Sequence, residues 1–96
     1  MVFNKKYIFL SARVHPGEVP SSHCLNSFLE YILDSNNERI LDEFVFVVVP
    51  MINPDGVYRG HWRVDSLGQN LNRFYSKPSK DKQPSIYMID LVLKQL

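Results

Sequence analysis

The stretch "FVFVVVP", residues 44–50, decides the fold of this chain. Every residue before Pro50 is apolar, and all of them are aromatic or β-branched. A run of this kind, without alternating polar residues, is typical of a strand that is buried on both faces of a parallel sheet. We therefore predict a central strand of an α/β domain over these residues.

A second strand and a helix are predicted before the central strand. Residues 6–14, "KYIFLSARV", predict a strand, and a residue that precedes proline, here His15, is held in extended geometry. Pro16-Gly17 then turns the chain, and Pro20 suits the first turn of a helix. Strand, helix and strand in this order predict a βαβ crossover with parallel pairing. The helix is indicated by apolar residues at helical spacing, namely Cys24, Leu25, Phe28, Leu29, Ile32 and Leu33.

The remaining segments predict a short helical turn, a long loop and a final helix. Polar residues 34–37 end the first helix, and residues 37–44 follow with a helical turn. Residues 53–83 are rich in Pro, Gly, Ser and Asn, which predicts a long loop that is either functional or disordered. Residues 85–96 predict a helix whose apolar face consists of Ile86, Ile89, Val92, Leu93 and Leu96.

Composition limits the classes of protein and partner. The 96 residues suffice for one small domain. A net charge of +1 favours neither nucleic acid nor a membrane surface as partner, and the longest apolar run, residues 44–49, is too short to span a bilayer. The single cysteine, Cys24, suits a reducing compartment. We expect a cytoplasmic protein without nucleic-acid or membrane binding.

The motif "HPGE", residues 15–18, places His15 and Glu18 on a rigid turn beyond the first strand. Ligands of open α/β sheets bind beyond the carboxyl ends of the strands, and "NPDG", residues 53–56, follows the second strand at the same edge. Neutral imidazole and carboxylate are common zinc ligands. Taken alone, the motif also fits two solvated loop residues.

The long loop carries a second group of candidate residues. "HWR", residues 61–63, and "GQNLNR", residues 68–73, bring two arginines and several amides after a buried strand. A guanidinium group can hold a carboxylate through two hydrogen bonds, or stabilise a developing oxyanion. Taken alone, "NPDG" indicates a turn, and Arg63 and Arg73 are typical of surface charges.

Together, "HPGE", "NPDG", "HWR" and "GQNLNR" resemble the zinc metallocarboxypeptidases of the carboxypeptidase A type. The resemblance covers residues 3–76 in the family's order. "SARVHPGE", "PMINPDGV" and "NLNRFY" are more similar still to the cytosolic carboxypeptidase branch, and to its tubulin deglutamylases in particular. The resemblance implies a partial, truncated carboxypeptidase-type fold, with a mixed or parallel sheet and flanking helices.

The resemblance also implies roles for individual residues. His15 and Glu18 match the first two ligands of a single Zn²⁺ ion. Arg63 matches the arginine that polarises the scissile carbonyl and holds the oxyanion. Asn72 and Arg73 match the pair that grips the terminal carboxylate of the substrate, which makes the enzyme an exopeptidase.

Asn70 departs from the common family pattern, in which many members carry Asp. The Asp is a hydrogen-bond acceptor for the zinc histidine, and the amide oxygen of Asn70 can accept the same bond without contributing a charge. The tubulin deglutamylases tend to have Asn here as well, so the departure favours that branch.

Other parts of the family's site have no match in the sequence. The third zinc ligand is a downstream histidine and the general base a later glutamate, yet no histidine follows His61. His61 itself matches no ligand, and His23 is expected on the polar face of the first helix. The resemblance therefore implies that residues 1–96 are the N-terminal portion of a catalytic domain that is incomplete and inactive alone.

Three functional hypotheses follow. In the first, the chain belongs to an enzyme that removes C-terminal residues from peptide tails, with glutamates of tubulin-like tails as the expected substrate. In the second, it is a truncated product without catalysis, or a module that binds carboxylate tails through Arg73. In the third, it is a plain α/β domain that resembles the family by chance. Lys77, Lys80 and Lys82 either attract acidic tails or form a solvated loop.

Overall fold

The chain folds into two parallel strands flanked by helices. The computed structural model describes residues 4–96, so residues 1–3 of the expected domain lie outside the described residues. In chain order the elements are β1 (Lys6–Ser11), α1 (Val19–Leu33), a 3₁₀ turn (Ser35–Asn37), α2 (Glu38–Glu43), β2 (Phe44–Val49), α3 (Pro54–Tyr58), a second 3₁₀ turn (Leu71–Arg73) and α4 (Pro84–Gln95).

β1 and β2 pair in parallel, as the βαβ prediction required. Their register runs from Lys6 opposite Phe44 to Ser11 opposite Val49. The first strand was predicted to reach residue 14, which is wrong, because β1 ends at Ser11. Arg13 has a φ of 56°, and this left-handed backbone conformation cannot continue a strand.

The two long helices pack on opposite faces of the sheet. Alternate side chains of a strand point to opposite faces. Phe46 faces α1, where its ring lies 5.9 Å from that of Phe28 at an interplanar angle of 67°. Val49 belongs to the other face and packs with Phe9 against a buried cluster that includes Ile86 of α4. The result is a small α/β/α arrangement.

β2 is less covered than its sequence predicts. Every residue of the strand is half-buried, not buried, because the described sheet has two strands and the helices cover only part of each face. An apolar groove of about 390 Å³ runs between β2 and α4. Its lining includes Phe9, Val47, Met88 and Val92.

The predicted helices are present, but their apolar faces are only partly buried. In α1 the buried residues are Leu25 and Ile32, whereas Leu33 is 69% exposed. In α4, Ile86 and Ile89 are buried, and Leu96 is 47% exposed. The predicted turn after residue 37 is α2. Across residues 4–96, none of the helices has the length and apolar character needed to cross a bilayer.

Residues 53–83 are more structured than a long loop. The "NPDG" motif, predicted as a turn, begins α3, with Asn53 Oδ1 accepting a hydrogen bond from the Gly56 N–H at 3.0 Å and Pro54 in the first turn. This is a standard way for a helix to begin. A five-residue helix is too short to show apolar periodicity in the sequence.

A buried polar network holds the rest of this segment. Asp65 Oδ1 accepts hydrogen bonds from the backbone N–H groups of Leu67 at 3.0 Å and Gln69 at 2.8 Å. The Gln69 side chain donates to Asp65 Oδ2 at 3.1 Å and accepts from Gln83 at the start of α4. Buried polar groups are stable when they are paired in this way, so the segment has a defined path without regular structure.

Candidate metal centre

The loops that follow β1 and β2 meet at one edge of the sheet. The Asn53 N–H donates to the carbonyl oxygen of Arg13 at 3.1 Å, and the Asn53 side-chain Nδ2 donates to the carbonyl oxygen of Val14 at 3.4 Å. Asn53 itself is buried, with 2% of its surface exposed. The turn that carries His15 is therefore attached directly to the start of α3.

His15 is held in one orientation by Asn70. The His15 residue is 7% exposed, and its Nε2 lies 2.9 Å from Asn70 Oδ1. The same oxygen accepts a hydrogen bond from the Asn72 N–H at 3.1 Å, so it is the acceptor of both bonds. His15 Nε2 must then carry the proton, which in a neutral ring leaves the lone pair on Nδ1.

Nδ1 of His15 faces a carboxylate oxygen. Its distance to Glu18 Oε1 is 3.1 Å, and the Glu18 side chain is 57% exposed. Two hydrogen-bond acceptors at this distance need a positive centre between them, either a proton or a metal ion. An imidazole nitrogen and a carboxylate oxygen are donor types that zinc binds. His15 and Glu18 therefore fit two positions of a zinc site.

The two residues form only a partial ligand set within the described structure. Residues 4–96 contain no cluster of three or more His, Cys, Asp or Glu side chains that could hold a metal ion. His61 does not contribute, because its Nδ1 lies 3.1 Å from the backbone oxygen of Asp65. His23 is exposed on α1, as expected for a residue on the polar face of that helix.

Close packing joins the loop that carries Arg63 to the His15–Glu18 turn. The Gly17 N–H donates to the Trp62 carbonyl oxygen at 2.8 Å. A Cβ atom on Gly17 would lie 2.7 Å from Trp62 Cδ2 and 2.8 Å from its carbonyl oxygen, which is closer than such atoms approach. Glycine at this position lets the two loops touch at Trp62, the residue that precedes exposed Arg63.

Asn72 and Arg73 are presented on a short 3₁₀ turn. Leu71, which is 3% exposed, anchors the turn in the core, and Asn70 caps it by accepting from the Asn72 N–H. Both Asn72 and Arg73 are exposed. The guanidinium group makes only a long contact, 3.5 Å, to the Asn72 carbonyl oxygen, so it is available to an incoming carboxylate.

The residues around this turn contribute less directly. Burial raises the pKa of the Tyr75 phenol, so this side chain stays neutral at physiological pH. Lys77, Lys80 and Lys82 are all exposed, which agrees with both interpretations of this basic cluster.

Two residues that hold the loops around His15 in place, Asn53 and Arg13, were not identified from the sequence. Asn53 was predicted to lie in a turn. An Asn followed by Pro is also a known start of a helix, and this pattern could have indicated that Asn53 caps α3. Arg13 has no local sequence feature that indicates its function. Its left-handed backbone and its hydrogen bonds are visible only in the folded chain.

The sequence of residues 3–87 matches the family described as zinc carboxypeptidase. The chain belongs to the zinc carboxypeptidase family. This confirms the resemblance drawn from the four motifs and excludes a chance likeness.

Named relatives and a solved structure place the chain within this family. The chain is 55% identical over 86 residues to cytosolic carboxypeptidase-like protein 5 of Danio rerio, covering 86% of the chain and 10% of the relative. It is 43% identical over 94 residues to cytosolic carboxypeptidase 6 of Caenorhabditis elegans, covering 96% of the chain and 20% of the relative. A crystal structure from Shewanella denitrificans, provisionally described as a carboxypeptidase A, superposes with a TM-score of 0.91 at 36% identity.

The zinc carboxypeptidase match is partial with respect to these proteins. The alignment covers 95% of this chain but 25% of the Shewanella denitrificans chain, and the chain spans about a tenth of the Danio rerio relative. The α/β fold expected from the sequence is confirmed by the superposition.

Replacing Asn70 with alanine is expected to lower zinc affinity about 10–100-fold, which is typical when a hydrogen-bond partner of a ligand histidine is lost. Asn70→Asp is the matched control, because it keeps the acceptor and adds a charge, so its affinity is expected to equal or exceed that of the wild type. Competition with a chelator of known affinity, in the full-length polypeptide that carries this sequence, measures both values. Equal zinc affinities for the wild type and Asn70→Ala would show that Asn70 does not orient His15 for zinc binding.

Proposed function

We propose that residues 1–96 are the N-terminal portion of a zinc carboxypeptidase catalytic domain that removes residues from the C-termini of peptides. The observation that carries the proposal is the orientation of His15. Its Nε2 is bonded to Asn70 at 2.9 Å, so that Nδ1 is directed at the Glu18 carboxylate at 3.1 Å. This is the arrangement that a histidine ligand and a carboxylate ligand need in order to share one cation.

His15 and Glu18 would hold the zinc ion. When bound, zinc acts as a Lewis acid and lowers the pKa of its water, which supplies the nucleophile for hydrolysis. Asn70 keeps the imidazole in the tautomer that offers Nδ1. Since its amide is neutral, it orients the ring without the added basicity that a carboxylate partner gives.

Arg63 would stabilise the negative charge that develops on the scissile carbonyl oxygen. A fixed guanidinium group does so without a proton transfer, and such electrostatic terms are often the largest in acyl-group hydrolysis. The contact between Gly17 and Trp62 supports this assignment, because it packs the loop that carries Arg63 against the His15–Glu18 turn.

Asn72 and Arg73 would recognise the free carboxylate of the substrate. Arginine binds a carboxylate through two parallel hydrogen bonds, and an amide adds a further donor. They lie two and three residues after Asn70, so one 3₁₀ turn connects the carboxylate-binding pair to the metal centre. A peptide anchored in this way presents its last peptide bond, and the activity is that of an exopeptidase.

The third zinc ligand and the general base would come from the polypeptide beyond residue 96. The partial coverage of the matched structure, 25% of its chain, supports this proposal, as does the two-member ligand set within residues 4–96. A general base must lie within hydrogen-bond reach of the metal-bound water, and none of the assigned residues serves that role.

We further propose glutamate-rich tails, such as those of tubulin, as the substrate, and the cytoplasm as the site of action. The names of the relatives, cytosolic carboxypeptidase-like protein 5 and cytosolic carboxypeptidase 6, support the location. The exposed lysines 77, 80 and 82 are compatible with an acidic substrate, because clustered positive charge raises the local concentration of acidic peptides.

A second candidate function is binding of carboxylate tails without hydrolysis. The exposed guanidinium group of Arg73 favours it, since tail recognition needs no metal. The two functions differ in whether the peptide is shortened.

The experiment uses three peptides and the full-length polypeptide that carries this sequence. One peptide ends in several glutamates with a free carboxylate, the second has the same sequence with a C-terminal amide, and the third ends in alanines. Mass spectrometry should show stepwise loss of glutamate from the first peptide alone, stopped by a zinc chelator. Binding of the first peptide without shortening would favour the second function, and cleavage of the amide at an equal rate would contradict carboxylate recognition.

A further inference from the structure

Arg13 occupies a backbone conformation that arginine rarely adopts. Its φ of 56° is in the left-handed region, which disfavours residues with a Cβ atom and favours glycine. Strained residues of this kind persist where their surroundings hold them in place, and they concentrate at functional sites. The side chain must therefore contribute something that glycine would not.

The Arg13 side chain binds the turn that carries the metal ligands. Nε and Nη2 both donate to the carbonyl oxygen of Pro16, at 3.0 Å and 2.6 Å. Nη1 donates to Ser22 Oγ at 3.1 Å, and the Arg13 N–H donates to Ser21 Oγ at 3.2 Å. The guanidinium group thus connects the middle of the His15–Glu18 turn to the first turns of α1.

Further hydrogen bonds extend this connection to Glu18 itself. The Ser21 hydroxyl donates to the Glu18 carbonyl oxygen at 2.8 Å, and the Glu18 N–H donates to the His15 carbonyl oxygen at 3.2 Å. The backbone on both sides of Glu18 is fixed, although its carboxylate is largely exposed.

We propose that Arg13 is a positioning residue for the metal centre, one that sets the spacing of His15 Nδ1 and the Glu18 carboxylate through the Pro16 carbonyl. The inference rests on the proposed function, because it assumes that these two residues bind zinc. Pro16 lies between the two ligands in the sequence, so a shift of its carbonyl changes the direction of both. Arg13 touches neither ligand side chain in this network and acts through the backbone of the turn.

The shape of the guanidinium group, as well as its charge, is needed for this role. It reaches two acceptors on different segments with three donors in a fixed plane. A lysine ammonium group is a single charge on a flexible stem and cannot reproduce this fork. Arg13→Lys should therefore restore only part of the effect.

The test compares zinc affinity with the stability of the metal-free protein, in the full-length polypeptide that carries this sequence. Arg13→Gly removes the side chain and relieves the left-handed strain, so the melting temperature of the metal-free protein should stay close to that of the wild type. Its zinc affinity should fall about 10–100-fold, the range found when groups that orient metal ligands are removed. Arg13→Asn, which also tolerates this backbone conformation, should behave in the same way.

Two further measurements separate positioning from general structure. Ser22→Ala removes one hydrogen bond of Arg13 but leaves both bonds to Pro16, so its zinc affinity should match that of the wild type. The zinc affinity of Arg13→Lys should fall between those of the wild type and Arg13→Gly. The absorption spectrum of the cobalt-loaded protein should change in Arg13→Gly, because that spectrum reports ligand geometry.

The outcomes are distinct. If the wild type binds zinc and Arg13→Gly binds it equally tightly, the inference is wrong and the proposed function stands. A lower melting temperature with unchanged zinc affinity would assign Arg13 a purely structural role and would also overturn the inference. If the wild type binds no zinc, the proposed function itself is wrong, and the inference falls with it.

Discussion

Replacing His15 with alanine is expected to lower zinc affinity more than about 100-fold in the full-length polypeptide that carries this sequence. Loss of a partner that orients a ligand histidine lowers metal affinity about 10–100-fold, and loss of the ligand itself lowers it further. His15 is buried, with Nε2 bonded to Asn70 and Nδ1 facing Glu18, so alanine leaves both partners without the ring. Chelator competition measures the affinity, and peptide cleavage should be lost in parallel.

His23→Ala is the matched control for this prediction. His23 is exposed on α1, so its loss removes a histidine without touching the site. Zinc affinity and cleavage should be unchanged. If His15→Ala retained the zinc affinity of the wild type, the assignment of the metal ligands would be wrong.

Replacing Arg63 with alanine is expected to lower kcat about 10²–10³-fold, which is the usual effect of removing one group that stabilises an oxyanion. KM should change little, because the interaction strengthens in the transition state and contributes little to substrate binding. Arg63→Lys should recover part of kcat, since it keeps the charge but loses the planar fork. Initial rates over a range of peptide concentrations separate the two parameters.

Arg59→Ala is the control for Arg63. Arg59 is also exposed and follows α3, but it lies outside the motifs assigned to the site. Its kcat should equal that of the wild type. An Arg63→Ala variant that raised KM at constant kcat would show that this arginine binds substrate instead of stabilising the oxyanion.

The βαβ architecture could be predicted from the sequence because the patterns that determine it are local. The apolar run of β2, the helical spacing in α1 and the proline at its start lie within short windows. Parallel pairing then follows from the order of the elements. The sequence pattern could not predict how far the side chains of β2 are buried, since that depends on packing between distant segments.

The end of β1 could not be predicted for a related reason. Arg13 looks like a continuation of the strand, but its conformation is fixed by Ser21, Ser22 and Pro16, which are contacts made only after the turn has formed. The same holds for the segment after β2, where Asp65, Gln69 and Gln83 replace regular structure by side-chain hydrogen bonds.

The candidate site could be located in the sequence, but its internal geometry could not. Four ordered motifs point to five candidate residues, because the family pattern sets which residue types are expected there: His15, Glu18, Arg63, Asn72 and Arg73. The direction of the His15 ring depends on Asn70, which is 55 residues away in the chain. The packing of Gly17 on Trp62 is likewise a contact between separate loops.

Whether His15 and Glu18 bind zinc can be seen in an anomalous difference map at the zinc edge, from crystals of the full-length polypeptide grown with zinc. We predict a peak within about 2.0–2.2 Å of both His15 Nδ1 and a Glu18 carboxylate oxygen, with His15 Nε2 still bonded to Asn70. A peak at another site, or zinc bound through Nε2 of His15, would show that His15 Nδ1 and Glu18 are not the zinc ligands.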